Sequence, residues 1–411
     1  MYRFRKQPSF PSLSMMKMTD QPRPLGLYLH IPFCKERCSY CDFLTFAHAE
    51  EWQNAYIEAL CREMETLSRR GFFIPYEVDT IYIGGGTPSI LPAHLLDKLT
   101  VAIRKFILFD AQKGPKEWTI EANPGNLNEE KMEILKKAGV NRISLGVQTT
   151  NPFLLHQCHR SYKKEDILRE LEDLKNAGIR RINMDFIYGF PGQTTETIKE
   201  DLSFIRQACP GHLSWYSLIL EEKTLLKYWI DQKTLLPLKE EEELGLMNCA
   251  FEGLQDLGYQ RYEISNFAFP GEESLHNLKY WSGEEYLGLG LGAASYIQKE
   301  RVNEERNLHL YISKAMEGKR TWTREKRTPE EDLFEQVMMG FRKTQGILFS
   351  DFEKKNHRSL LSFGGEYFQK AKKEGLLDWD EQRAWLSPRG LLLQNLFLSD
   401  FLLFLEKNPR P

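Results

Sequence analysis

Residues 26–43 have the sequence GLYLHIPFCKERCSYCDF, which combines a short apolar run with three closely spaced cysteines. The apolar run at residues 27–31 predicts a buried strand. Cys34, Cys38 and Cys41 follow within eight residues, and a loop anchored by a strand can wrap several thiols around one inorganic centre. Three thiolates are one ligand short of the four that an ordinary iron–sulfur cluster or a structural zinc ion takes.

The C-x3-C-x2-C spacing resembles the cluster-binding loop of the radical S-adenosylmethionine (SAM) superfamily. That resemblance implies that the three cysteines hold a 4Fe–4S cluster, whose open iron binds the amino and carboxylate groups of SAM. From the spacing alone, two alternatives stay open. They are a zinc site completed by His30 or a distant cysteine, and three unrelated thiols.

Length and composition limit the class of protein. A chain of 411 residues is long enough for two or three domains, and an apolar fraction of 41% can supply a sizeable core. The net charge of −3 provides no general attraction to nucleic acid. The seven cysteines do not resemble a secreted disulfide framework and suit a reducing compartment, so we expect a cytoplasmic protein.

We predict that residues 1–24 form a disordered tail. The segment carries five Arg or Lys residues and no acid before Asp20, which is also compatible with an organellar transit peptide. Met15, Met16 and Met18 make an overextended start codon a further alternative. The segment lacks the long apolar core of a secretory signal.

Strand and helix patterns alternate from the cysteine loop onward, which predicts parallel βα units. The six predicted strands cover residues 27–31, 78–83, 118–120, 142–147, 181–188 and 212–220, and the helices between them cover residues 51–70, 94–106, 128–138, 164–177 and 194–208. Polar or glycine-rich sequence follows most of these strands, at the end where parallel barrels form their sites. We therefore predict an α/β fold with a partial (β/α)6 barrel over residues 25–238.

The remaining chain predicts two further segments. Residues 239–327 are less regular, contain a helix at residues 240–257 and are expected to close the barrel. Residues 328–411 are predicted to be a winged-helix-like α+β domain, with two helical stretches, a β-hairpin and a final apolar helix that begins at Ser387 and Pro388.

The predicted C-terminal domain is not expected to bind nucleic acid. Winged helices can bind DNA, but this stretch has no dense basic patch, so a docking or covering role is favoured. The apolar residues 391–405 are expected to form the buried helix of this domain. No transmembrane segment is predicted, so any contact with a membrane would be peripheral.

An ordered set of motifs makes the family resemblance specific. From about residue 25 onward the chain contains, in this order, HIPFC-x3-C-x2-C, GGGTP, E-x-NP, R-x-S-x-GVQ, DFIYGFPGQT, YEISN, HN-x2-YW and YLGLGLGA. Together they resemble the oxygen-independent coproporphyrinogen III oxidases and their relatives, the HemW-type heme chaperones. The oxidases usually have a fourth cysteine two residues after the third. Asp42 and Phe43 follow Cys41 here, so the resemblance favours the chaperone branch.

The resemblance also implies which residues contact SAM. They are Tyr28, Tyr40, Gly85, Gly86, Thr87, Glu121, Gln148, Arg160 and Asp185. Glycines allow a close backbone approach and present N–H donors. The carboxylate of Asp185 suits ribose hydroxyls, and the fork of Arg160 suits the SAM carboxylate. A tight turn at the glycines and surface salt bridges at Glu121 and Arg160 are the alternatives.

The HN-x2-YW motif is associated with heme binding in the chaperone branch. It implies contacts from His276, Tyr280 and Trp281, because a neutral imidazole can coordinate iron and aromatic rings can pack on a porphyrin. The alternative is an aromatic cluster that closes the barrel around one hydrogen-bonded histidine.

The chaperone resemblance implies that the protein carries heme, and no residue is assigned a catalytic role. The protein would bind heme, a 4Fe–4S cluster and SAM and deliver heme to apo-hemoproteins, with a one-electron donor as a further partner. Whether SAM is cleaved or only bound stays open. An oxygen-independent coproporphyrinogen III oxidase is the first alternative, and a zinc-stabilised binding protein without SAM chemistry is the second.

Overall fold

The structure is a computed structural model, and it describes residues 21–110 and 112–408. Residues 1–20 of the predicted tail lie outside the described residues. The predicted end of the tail at residue 24 is wrong, because Arg23 and Pro24 already belong to the first strand. The Arg23 N–H donates to the Pro75 carbonyl oxygen at 2.9 Å, which fixes the start of that strand.

Six parallel strands, each hydrogen-bonded to the next in chain order, form the centre of the fold. They are β1 (Arg23–Ile31), β2 (Tyr76–Gly85), β3 (Glu117–Ala122), β4 (Arg142–Gln148), β5 (Arg181–Tyr188) and β6 (His212–Ser217). The longer helices between them are α1 (Glu50–Arg69), α2 (Ala93–Phe106), α3 (Glu129–Ala138), α4 (Lys164–Asn176) and α5 (Thr195–Ala208), and a short helix at Pro152–Gln157 lies between β4 and α4. The predicted partial (β/α)6 barrel is confirmed. The sixth strand ends at Ser217, three residues before the predicted end.

Local sequence signals explain several of these elements. Asn128 caps α3 by accepting a hydrogen bond from the Lys131 N–H at 3.0 Å, and Gly139 ends the helix with a φ of +97°. On β1, Leu27 and Leu29 lie in the apolar core, whereas Tyr28 between them faces the barrel interior and bonds to a polar side chain.

The segment after the six strands extends both edges of the sheet. Next to β6 it adds Asn266–Ala268 and Gln260–Arg261, and next to β1 it adds Tyr286–Leu289, Ala294–Ile297, Glu300–Asn303 and Thr323–Arg324. It also contributes helices at Leu225–Asp231, Glu240–Asp256, Leu275–Trp281 and Leu308–Met316. The first of these helices precedes residue 239 and was not predicted.

The helix Leu275–Trp281, called the floor helix below, covers the N-terminal ends of the central strands. Its first turn is bonded to Glu117, the first residue of β3, and Lys279 pairs with Asp79 of β2 at 3.0 Å. Barrel closure by this segment therefore involves a helix packed across the strand ends, while its strands widen the sheet.

The C-terminal part of the chain forms an α+β unit with its own core. Its helices are Pro329–Gly340, Phe349–Asn356, Leu360–Lys373, Pro388–Leu392 and Gln394–Lys407, and its strands are Ile347–Leu348, Leu377–Trp379 and Arg383–Leu386. Phenylalanines dominate the core, including Phe341, Phe363, Phe397 and Phe401. The prediction of one final helix is wrong, because the chain breaks at Leu393 into two helices. No helix within the described residues has both the length and the apolar character needed to span a membrane.

Candidate cofactor site

The three clustered cysteines lie in the loop that follows β1, and each is a free, half-buried thiol. Burial raises the pKa of Cys34, and burial raises the pKa of Cys41 to about 11. Neighbouring thiols raise these pKa values further, since Cys38 acts on Cys34 and both Cys38 and Cys34 act on Cys41. Among the described residues, no three His, Cys, Asp or Glu side chains already have the arrangement of a bound metal.

The turn after β2 holds the cysteine loop through backbone hydrogen bonds. The Gly86 N–H donates to the Ile31 carbonyl oxygen at 2.8 Å, and the Thr87 N–H donates to the Phe33 carbonyl oxygen at 2.8 Å. A Cβ atom at Gly86 would lie 2.6 Å from the Phe33 oxygen, so only glycine allows this approach. The N–H groups of Gly86 and Thr87, which were expected to face SAM, therefore hold the cysteine loop in place.

The side chain of Thr87 joins the same loop to β3. Its Oγ1 donates to Cys34 Sγ at 3.7 Å and accepts a hydrogen bond from Asn123 Nδ2 at 3.2 Å. Thr87 therefore contacts one of the predicted cluster ligands directly.

Glu121 links this turn to the barrel interior. Its carboxylate accepts hydrogen bonds from the Gly85 N–H at 3.0 Å and from the Tyr82 hydroxyl at 2.8 Å. Burial, with a smaller contribution from the nearby Asp185 carboxylate, raises the pKa of Glu121 to about 7. The group can therefore exchange a proton near neutral pH.

Arg160 connects the cysteine loop to the upper ends of β3 and β4. Its Nη1 donates to the Gly146 carbonyl oxygen at 2.6 Å and to Asn123 Oδ1 at 3.0 Å, and its Nη2 donates to Cys38 Sγ at 3.5 Å. Its Nε atom is buried and has no hydrogen-bond partner in the described part of the chain. A guanidinium with an unused Nε–H donor beside a cysteine suits a carboxylate ligand.

Gln148 and Asp185 lie at different heights in the barrel. Gln148 is the last residue of β4 and has a φ of +67°. Asp185 is in register with Gly146, and its carboxylate accepts hydrogen bonds from Ser144 Oγ at 3.0 Å and Asn183 Nδ2 at 2.8 Å. Burial raises the pKa of Asp185. Gln148 thus lies at the rim, and Asp185 lies two residues below it.

The two predicted tyrosines lie in different parts of the site, Tyr28 on β1 and Tyr40 in the cysteine loop. The Tyr28 hydroxyl is 2.9 Å from His30 Nδ1, and its ring centroid is 6.3 Å from that of Tyr82 inside the barrel. Tyr40 belongs to the cysteine loop and packs edge-to-face on Phe190 at 5.8 Å. Burial raises the pKa of both tyrosines, so both stay neutral.

The candidate fourth ligands for zinc are engaged elsewhere. The ring nitrogens of His30 lie 2.9 Å from the Tyr28 hydroxyl and 3.0 Å from the Leu44 carbonyl oxygen. Cys158 lies near Cys38 but is fully buried in an apolar cluster, and burial raises its pKa. The donor set therefore fits a centre that takes three thiolates and leaves one position open.

The floor helix places His276 below the Glu121 group. His276 is fully buried, with Nδ1 2.9 Å from Thr80 Oγ1 and Nε2 2.8 Å from the Tyr280 hydroxyl. Its ring stacks on Tyr82 at 5.4 Å, and burial lowers its pKa to about 3. This geometry matches the alternative of an aromatic cluster around one hydrogen-bonded histidine. Heme contact by His276 stays a prediction.

The other two residues of the motif lie on either side of this cluster. Tyr280 packs edge-to-face on Tyr286 at 4.6 Å, whereas the Trp281 ring lies 4.4 Å from the guanidinium carbon of Arg342 in the C-terminal domain. The structure therefore groups Tyr280 with His276 and separates Trp281 from the predicted SAM contacts.

A polar layer inside the barrel was not predicted. His212 Nδ1 lies 2.6 Å from Asn183 Oδ1, and Ser214 Oγ donates to the same oxygen at 3.2 Å. His212, Ser214 and Tyr216 alternate along β6, and this period of two is the sequence signal that could have identified the inner face. Asn123 bonds to Arg160 and belongs to the E-x-NP motif, but it was not among the residues predicted to contact SAM.

Comparisons with known proteins agree with this geometry. Residues 28–205 match the family model described as the radical SAM superfamily, and residues 328–393 match the one described as the HemN C-terminal domain. The solved coproporphyrinogen III oxidase (HemN) of Escherichia coli superposes with a TM-score of 0.79 over 92% of this chain and 90% of that chain. Its sequence identity is 24%, so this likeness concerns the fold.

The barrel, the three-cysteine loop and the family match define a radical SAM protein, a class whose members take a 4Fe–4S cluster and SAM. Heme chaperone HemW of Lactococcus lactis subsp. lactis is 37% identical over 93% of this chain and 98% of its own length. Heme chaperone HemW of Bacillus subtilis is 36% identical over 91% of this chain and 98% of its own length. The chain belongs to the HemW family.

Proposed function

We propose that this protein is a heme chaperone that binds heme, a 4Fe–4S cluster and SAM and delivers heme to apo-hemoproteins in the cytoplasm. The observation that carries the proposal is the similarity to heme chaperone HemW of L. lactis over 98% of that protein's length. The absence of a fourth cysteine after Cys41 supports it, since Asp42 and Phe43 occupy the next two positions. A one-electron donor is a further proposed partner.

Cys34, Cys38 and Cys41 would hold the cluster. When bound, a low-potential 4Fe–4S cluster supplies one-electron reduction to SAM. Thr87 and Arg160 already contact Cys34 and Cys38, so they would orient these two ligands and lie next to the bound SAM. The free Nε of Arg160 is the donor we assign to the SAM carboxylate.

The SAM amino group is itself a donor and requires acceptors. The N–H groups of Gly85, Gly86 and Thr87 are already bonded within the protein. Contacts from this turn would therefore use its backbone carbonyl oxygens, with the Glu121 carboxylate as a further acceptor. Asp185 would accept from the ribose hydroxyls, and the buried rings of Tyr28 and Tyr40 would exclude water.

The first experiment uses the full chain after anaerobic reconstitution with iron and sulfide. We expect stoichiometric binding of heme, transfer of that heme to apomyoglobin, and no protoporphyrinogen from coproporphyrinogen III with SAM and a reductant. The brown absorbance of the cluster should disappear in Cys38→Ala and persist in the matched variant Cys249→Ala, since Cys249 lies in the helix Glu240–Asp256.

Formation of protoporphyrinogen would replace the chaperone assignment with that of an oxidase. A protein that binds stoichiometric zinc and develops no cluster absorbance would support the zinc alternative. Heme binding that is unchanged in His276→Ala would remove His276 from the predicted heme contacts.

A further inference from the structure

The backbone is distorted where β4 ends, at one of the residues predicted to contact SAM. Gln148 has a φ of +67°, a conformation that few residues other than glycine adopt. The pairing of β4 with β5 shifts its register between Gly146 and Gln148, as at a β-bulge. The Thr149 N–H donates to the Val147 carbonyl oxygen at 2.8 Å, which closes a tight turn centred on Gln148. Such strained turns persist only where the surrounding structure holds them, and they cluster at ligand sites.

The turn places the Gln148 side chain beside Arg160. A Cβ atom added to Gly146 would lie 3.0 Å from Gln148 Nε2 and 3.4 Å from Arg160 Nη1, so the amide and the guanidinium meet over that glycine. Gln148 is buried, yet none of the hydrogen bonds within the described residues involves its side-chain amide. Buried amides normally have partners, so a free donor and acceptor beside Arg160 suit a polar ligand.

Asp201 of α5 holds the two residues that follow Gln148. Its Oδ1 accepts hydrogen bonds from the Thr150 N–H and from Thr150 Oγ1, both at 2.6 Å, and its Oδ2 accepts from Thr149 Oγ1 at 3.0 Å. Asp201 and Thr149 are fully buried. Burial raises the pKa of Asp201 to about 6, so the group is mainly a carboxylate at neutral pH and can accept all three bonds.

Neither helix formation nor strand pairing requires these bonds. Thr149 and Thr150 lie between β4 and the short helix Pro152–Gln157, and Asn151 caps that helix with its own side chain. Asp201 lies in the middle of α5, where it cannot cap the helix. Burying a carboxylate costs free energy, and here the charge-assisted bonds that offset this cost all fix one turn.

We propose that Asp201 is a positioning residue for SAM. It holds the turn after β4, and the turn holds the Gln148 amide where it would bind SAM next to Arg160. Both oxygens of Asp201 are bonded to the turn, so Asp201 acts through Gln148 and does not touch SAM itself. This inference rests on the proposed function, which places SAM beside Arg160.

The test is equilibrium binding of SAM to the anaerobically reconstituted full chain, with cluster content measured by visible absorbance. Asp201→Ala and Gln148→Ala should each weaken SAM binding about tenfold, because the hydrogen bonds of the amide to SAM are lost in both. The double variant should bind SAM no more weakly than Gln148→Ala alone, because Asp201 acts only through Gln148. Cluster content should equal that of the wild type, since the bonds of Asp201 lie outside the cysteine loop.

Two further variants separate positioning from stability. Ile205→Ala removes a fully buried side chain one turn further along α5 and leaves the bonds of Asp201 in place. It should destabilise the protein in chemical denaturation, yet bind SAM like the wild type. Thr150→Val removes one of the three bonds at nearly constant shape and should weaken SAM binding about threefold. This milder variant decides the question if Asp201→Ala does not fold.

The outcomes separate this inference from the proposed function. A double variant that binds SAM more weakly than Gln148→Ala, or an equal loss of affinity in Ile205→Ala, would show that Asp201 acts through general stability and would overturn the inference. Unchanged SAM binding in Gln148→Ala, or in both Asp201→Ala and Thr150→Val, would overturn it as well. Normal SAM binding by the wild type leaves the proposed function intact in each of these cases. A wild type with a complete cluster that binds no SAM would overturn both proposals.

Discussion

Arg160 is the residue on which the geometry of the candidate cofactor site depends most. Its guanidinium bonds to Cys38 Sγ in the loop, to Asn123 after β3 and to the Gly146 carbonyl oxygen of β4. One planar group therefore fixes three separate segments, and a lysine could not reproduce this because its ammonium is a single point donor. The sequence predicted the residue and its proposed ligand, but its contact with Cys38 depends on folding that brings positions 122 apart together.

We expect Arg160→Lys to weaken SAM binding about tenfold or more while the protein stays folded. The charge is kept, but the Nε–H donor assigned to the SAM carboxylate is lost, together with the planar group that holds it in place. Equilibrium binding of SAM to the reconstituted protein measures the effect, and the visible absorbance reports cluster content. Arg169→Lys, on the exposed side of α4, is the matched control. An unchanged dissociation constant at full cluster content would contradict the assigned role.

At the scale of the element, the helices and strands that could be predicted are those marked by signals in their own sequence. The caps Asn128 and Gly139 mark α3 within its own sequence, and the apolar run of β1 marks a strand. The floor helix has only seven residues and would be marginal alone. It is held by Glu117, which lies 157 positions before Ser274, so the sequence near the helix carries no sign of its partner.

We expect Glu117→Gln to lower the free energy of unfolding by about 3 kcal/mol, because it removes a fully buried charge from its partners. The carboxylate accepts from Ser274 Oγ at 3.3 Å and from the Leu275 and His276 N–H groups at 3.0 Å each, and it lies 3.5 Å from Arg181. Chemical denaturation of the metal-free protein measures the change.

The matched control for this prediction is Glu133→Gln on the exposed face of α3, which should change the free energy of unfolding by less than about 0.5 kcal/mol. Equal effects of the two substitutions would show that Glu117 does not hold the floor helix.

At the scale of the molecule, two cores meet through polar contacts. The barrel core and the phenylalanine core of the C-terminal domain are separate clusters. Glu335 in the helix Pro329–Gly340 accepts hydrogen bonds from Arg301 of the extended sheet and from Arg327 just before the helix. The alternation of strand and helix patterns predicted the barrel, and the helix–helix–hairpin–helix pattern predicted the C-terminal domain. Neither pattern could predict this contact, because charged residues on surface positions have many possible partners.

We expect Glu335→Gln to loosen the C-terminal domain without unfolding either core. Arg301 and Arg327 would lose the carboxylate that they share, and each is less than a quarter exposed, so the loss is only partly screened by solvent. The exposed residues 323–326 lie next to this contact. Limited trypsin digestion followed by mass spectrometry should therefore show cleavage at Lys326 several times faster than in the wild type.

Glu330→Gln, at an exposed position of the same helix, is the matched control and should be cleaved at the wild-type rate. Equal rates for Glu335→Gln and the wild type would mean that the other contacts between the two units, such as the cation–π contact of Arg342 with Trp281 of the floor helix, suffice to hold them together.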